Sequence, residues 1–239
     1  MSDLSRMPLR RQLPALLKAL GVVYLPLGLL LALIGVVGYT TETIHIAHLT
    51  RDPAAVAKMS SFTGVVSNVG VLLWTVTAAT CLFTARTLWR VPAERMWAGL
   101  LLSAGCLTVL LTVDDLFMLH DGVIQRYLRL PGKVLYAVYG LSVIAGTVAY
   151  GRTILESNYV LLVLAIACLA ASVGVDALAD GSGMRTVLGS RGLVYLLEDG
   201  FKLLGIGGWA SYFVGTCYAS VVRTQRVDLR ADLVRSHVA

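Results

Sequence analysis

Apolar residues are gathered into long uninterrupted runs, with polar residues confined to short stretches between them. A helix needs about 20 apolar residues to cross the hydrocarbon core of a bilayer. Six segments meet that length, at roughly 17–40, 62–88, 96–119, 133–151, 158–178 and 193–221. The runs do not alternate, so they read as helices and not as barrel strands. The pattern predicts an all-α polytopic membrane protein, a six-transmembrane-helix bundle forming one domain over 1–239. Pro26 falls inside the first run and is expected to kink it. Leu130-Pro131-Gly132 breaks the chain before the fourth run, and the Gly/Ser-rich stretch Ala179–Gly192 separates the fifth from the sixth. No internal repeat and no soluble domain is visible.

Composition agrees with the pattern. The chain is 57% hydrophobic and only 14% charged, against about 25% charged in a soluble domain. The formal net charge is +6, yet the basic residues flank apolar spans, so the partner is the lipid bilayer and not nucleic acid. The first apolar run follows basic residues, as in a signal peptide, but no small-x-small cleavage site follows it, and it reads as a retained span. Cys81, Cys106, Cys168 and Cys217 each lie within an apolar run, which is neither a disulfide framework nor a metal spacing. They read as small packing residues.

Six spans place both termini on one side. That side carries twelve basic and five acidic residues, net +7, and the other carries eight and nine, net −1. An excess of Lys and Arg marks the cytoplasmic face, so both termini are expected to be cytoplasmic and the protein to be a multi-pass component of the cell (plasma) membrane.

In this topology the acids collect at one level. The third span ends in TVDDLFMLHDG, with Asp114, Asp115, His120 and Asp121. The fifth ends near Asp176, and the sixth begins with Glu198, Asp199 and Lys202. All belong to the outer end of their spans. Glu42, His45 and His48, after the first span, are secondary candidates that also read as an exposed loop. At about 100° per residue Asp114 and Asp121 share a face, whereas His120 projects away from Asp115. Glu198 and Lys202 are four residues apart, in the favourable order for an ion pair. Ionisable groups within a membrane are costly and default to a functional reading. The expectation is an outward-facing cup of carboxylates, His and Lys.

Three readings of the cup remain open. Oxygen ligands with an imidazole suit a divalent metal (Zn, Mn or Mg) held by His120, Asp115 and Asp176. A metal-bound water would then serve hydrolysis or binding of a lipid-like or small-molecule ligand. Alternatively the carboxylates, Lys and His relay protons or a cation in a transporter or channel, although such a path needs polar groups through its whole depth. Finally, the charges form a structural ion-pair network. The sequence contains no HExxH, GxSxG or phosphate-cradling loop that would fix an activity.

The segments LLTVDDLFMLHDG and LLEDGFKLLGIGGWASYF give the chain a resemblance to a group of bacterial multi-pass membrane proteins with DDLFxLHE-like and EDGxKxLGI-like segments. The resemblance covers most of the chain. Asp114, Asp115, His120, Glu198, Asp199 and Lys202 match the pattern, and Asp121 stands where Glu is common. It implies a shared multi-pass fold and no particular activity.

Overall fold

A computed structural model describes residues 17–18, 20–40, 46–131, 133–180 and 191–238 of the chain. The described residues form helices and turns, with no strand among them. Contacts divide the chain into two compact units, Met1–Thr63 and Gly64–Ala239.

The first unit holds α1 (Leu25–Thr40) and two short helices, α2 (Ile46–Thr50) and α3 (Pro53–Val56). A wide π-type turn over Leu20–Tyr24 leads into α1. Pro26 has no N–H to give the preceding turn, and widening that turn is how a helix absorbs such a loss. Asp52 caps α3, accepting hydrogen bonds from the Ala54 and Ala55 amides.

The second unit is a bundle of five helices: α4 (Val65–Leu88), α5 (Arg95–Phe117), α6 (Lys133–Leu155), α7 (Tyr159–Asp180) and α8 (Arg191–Val238). Among the described residues five helical segments are long and apolar enough to cross a membrane: Leu20–Thr40, Val65–Leu88, Pro92–Phe117, Val134–Leu155 and Tyr159–Leu178. The sixth expected span, 193–221, lies within α8. Glu198, Asp199 and Lys202, together with several Gly and Ser, dilute its apolar character. No Gly or Pro follows Gly215, and α8 runs on to Val238, well beyond the expected end.

Helix α8 is the centre of the bundle. It runs parallel to α4, with Gly70 against Ile206, Trp74 against Trp209 and Cys81 against Cys217 at successive levels. It runs antiparallel to α7, where Gly205 meets Leu169 and Gly208 meets Ala165. Helix α5 runs antiparallel to α4, with Gly105 on Leu82. Lipid offers helices no hydrophobic drive to associate, so close backbone approach at small residues supplies packing energy instead. The buried core is built mainly from α4, α5 and α8, around Trp74, Leu101, Ile206, Trp209 and Phe213. Outward-facing residues such as Leu72, Phe83, Val148 and Leu204 are large, apolar and exposed, as a lipid-facing surface requires.

The α7–α8 seam gives a sharp test. A Cβ on Gly205 would lie 2.9 Å from the Leu169 backbone nitrogen and 2.7 Å from its Cγ, whereas one on Gly207 meets nothing within 4 Å. Gly205→Ala should therefore cost about 1–3 kcal/mol by overpacking. Gly207→Ala should gain about 0.5–1 kcal/mol from helix propensity. Thermal melts of the two variants in detergent should move in opposite directions; equal shifts would refute this seam.

Candidate functional site

Helix α5 ends abruptly. Met118 takes a left-handed conformation (φ 48°, ψ 50°), and its amide bonds back to the Asp114 carbonyl. A π-wound segment, Leu119–Leu128, follows. A left-handed non-glycine residue is uncommon, and here it resets the helical phase. The sequence expectation turned His120 away from Asp115 on one continuous helix; the helix is not continuous, and His120 meets Asp114 instead. His120 folds back onto α5. Its backbone amide donates to Asp114 Oδ1 at 2.9 Å, and its ring Nδ1 lies 2.8 Å from the same oxygen. With Nδ1 as donor, the imidazole is held in one orientation by a carboxylate.

Asp114 is only 5% exposed. A carboxylate near a helix C-terminus opposes the helix dipole, so its two hydrogen bonds from His120 are the compensation that keeps it buried. The Tyr139 hydroxyl on α6 also faces it, and the Tyr136 ring lies against the His120 ring, centroids 5.2 Å apart.

Asp115, next along α5, turns to other helices. Its Oδ2 accepts from Trp74 Nε1 of α4 at 3.2 Å, and its Oδ1 from Lys202 Nζ of α8. Its side chain is 7% exposed. The sequence paired Lys202 with Glu198, one turn away on its own helix, and offered Asp115 to a divalent metal with His120 and Asp176. The structure gives Asp115 the Lys202 ammonium. Below this level, Trp209 packs edge-on to Trp74 and donates to Thr108 Oγ1 at 3.0 Å.

The remaining candidates divide. The register of Gly205 on Leu169 sets Asp176 of α7 level with Glu198 of α8, and both are half-buried. Asp199 is exposed. His48 is exposed on α2, in the first unit. Glu42, His45 and the side chain of Asp121 lie outside the described residues. Among the described residues no group of three or more His, Cys, Asp or Glu is placed to hold a metal ion. Both oxygens of Asp115 are already engaged.

A second cluster occupies the opposite end of the bundle. Arg223 of α8 forms a bidentate pair with Glu94, which precedes α5, at 2.9 Å and 2.7 Å. Its guanidinium lies 4.6 Å from the centre of the Trp97 ring. Sequence reading counted Glu94 and Arg223 only as interfacial charges, and it missed Trp74, Tyr136 and Tyr139. One signal was available: Asp115 lies 21 residues after Glu94, and Arg223 lies 21 residues after Lys202. Another was Trp74, whose indole N–H in an apolar span needs a partner.

The structure thus defines a helical membrane protein with a buried Asp–His pair and a Lys–Asp pair side by side at one end of its bundle. A family model for a domain of unknown function, DUF8692, matches residues 19–216, and the chain belongs to that family. No curated protein and no solved structure matches it.

The Asp115–Lys202 pair should show strong coupling. Lys202→Met strands a carboxylate that is 7% exposed, a loss that typically costs about 3–5 kcal/mol. The double variant Lys202→Met/Asp115→Asn should recover most of that stability. If the two changes prove additive in a double-mutant cycle of detergent melts, the pair is not coupled.

Proposed function

We propose that the protein is a six-span membrane protein, with both termini cytoplasmic, whose outward-facing cup binds a lipid-like ligand and exchanges a proton with it through His120. The observation that carries this reading is the carboxylate-held imidazole. Asp114 Oδ1 receives both the amide and Nδ1 of one histidine. A merely structural histidine needs no second anchor. A histidine that must present one nitrogen in a fixed direction does, and imidazole is the side chain suited to proton exchange near neutral pH. Asp115, Trp74 and Lys202 form the adjoining wall. Asp176 and Glu198 stand at the same end of α7 and α8. This reading assigns no role to a divalent ion.

The sixth crossing is supported by the two ion pairs. Lys202 and Arg223 are 21 residues apart on α8, about 31 Å along a helix, against about 30 Å of hydrocarbon. The twelve-to-eight division of basic residues orients the bundle. A reporter fused after Ala239 should read cytoplasmic, and one inserted within 181–190 should read external. A carboxyl-terminal reporter active outside the cell overturns the orientation, and with it an outward cup.

The ligand reading is tested on protein extracted in mild detergent. Wild type should retain an equimolar lipid-like molecule, recoverable by solvent extraction and identified by mass spectrometry. His120→Ala and Asp114→Asn should lose it, and His120→Asn, whose side-chain amide can replace Nδ1 as donor to Asp114 but cannot exchange a proton, should do so with little change in melting temperature. Retention by both variants at the wild-type level would defeat the assignment.

A further inference from the structure

A cavity of about 470 Å³ lies on the flank of the second unit, between α5, α6, α7 and α8. Its α5 wall runs from Leu100 to Leu110, about 15 Å along the helix. Trp209 and Phe213 of α8 contribute to its lining. The α6 wall is made of small residues, including Ala145, Gly146 and Ala149, where a packed bundle would place Leu. At the far end the Tyr150 hydroxyl lies 2.8 Å from where a Gly99 Cβ would be. The missing bulk on α6 makes the space.

The serine and threonine hydroxyls in this lining donate to their own helices, and the Tyr150 hydroxyl lies 3.5 Å from Ser103 Oγ across the far end. Ser103 donates to the Gly99 carbonyl at 2.9 Å, Ser142 to Val138 at 2.7 Å and Thr147 to Val143 at 2.8 Å. Few polar atoms remain to hold water, and an apolar space of this kind is dry. Within hydrocarbon its natural filling is a hydrocarbon chain.

Three walls of the cavity lead to the polar cup. On α5 the lining row Leu100, Ser103, Leu107, Leu110 continues one turn on to Asp114. On α6, Val143 is one turn from Tyr139, which faces Asp114. On α8, Trp209 is two turns from Lys202. A chain lying in the groove therefore brings its polar head to Asp114, His120 and Lys202. The carboxylates of Asp114 and Asp115 are hydrogen-bond acceptors held at this end by their own donors, His120 and Lys202 with Trp74. An anionic head is repelled, and a head rich in hydroxyl or amine donors is favoured.

We propose that the ligand of the cup is a lipid with a donor-rich, non-anionic head, and that one of its acyl chains lies in the α5–α6–α7–α8 groove. This rests on the reading of His120 given above and adds the ligand's class and the seat of its tail. The test uses the full-length protein in nanodiscs and a monoacylglycerol carrying a diazirine at mid-chain. After irradiation, adducts should concentrate on the 100–110 and 142–150 segments. The fatty acid bearing the same chain should label them less. Gly146→Leu adds bulk to the groove wall where nothing lies within 4 Å of a Cβ; it should abolish the groove adducts. Ala149→Leu is the second filling variant. His120→Ala should weaken groove labelling about tenfold, as for a loss of about 1.4 kcal/mol of binding. Labelling spread evenly over lipid-facing residues, or unchanged by both filling variants, overturns the proposal. If the filling variants act but His120→Ala leaves the adducts unchanged, the groove holds ordinary bilayer lipid and the proposal also falls. The reading of His120 would still stand if that variant loses the co-purified molecule.

Discussion

Two salt links of equal spacing tie α5 to α8, one at each end. Glu94 and Asp115 stand 21 residues apart on one side, and Lys202 and Arg223 stand 21 residues apart on the other. Equal spacing on antiparallel helices fixes their axial register: a slip of one residue along either helix would strain both links together. The links also place their four charges at the two ends of the α5–α8 pair, away from its apolar middle. Between them the seam is apolar except for the bond from Trp209 to Thr108. Register thus comes from charge at the ends, and cohesion from close packing in the middle.

That register gives two neighbouring aspartates different work. Asp114 and Asp115 differ by about 100° around α5, so one faces α6 and the π-wound segment while the other faces α4 and α8. Asp115 is spent on holding three helices together. Asp114 is spent on a histidine, and tyrosines from α6 close around that pair. Adjacent carboxylates near hydrocarbon repel, and the arrangement offsets this by giving each its own donors. The Asp114–His120 pair accordingly sits within a frame made by Asp115 and Lys202.

Much of the fold was legible because apolar run length reports membrane crossing directly. The break before α6 falls at Leu130 and Pro131, where the proline puts it. Two features were not legible. The first is the left-handed turn at Met118, a residue with no local reason to leave the helix; the buried bonds of His120 to Asp114 provide that reason, and they are visible only in three dimensions. The second is the choice of partner for Lys202. A helical wheel finds Glu198, four residues back on the same helix, and is blind to Asp115 on another. Glu94 and Arg223 were hidden for the same cause, being 129 residues apart in sequence.

Helix α8 does not stop at the second salt link. From Arg223 it continues for 15 residues to Val238, about 22 Å further, with no Gly or Pro to interrupt it. The lysine that meets Asp115 and the tail beyond the opposite end of the bundle therefore belong to one stiff rod. A stiff rod cannot turn at one end alone. Any rotation of α8 that moves Lys202 off Asp115 turns the tail with it, so the state of that ion pair is mechanically legible at the opposite end of the bundle.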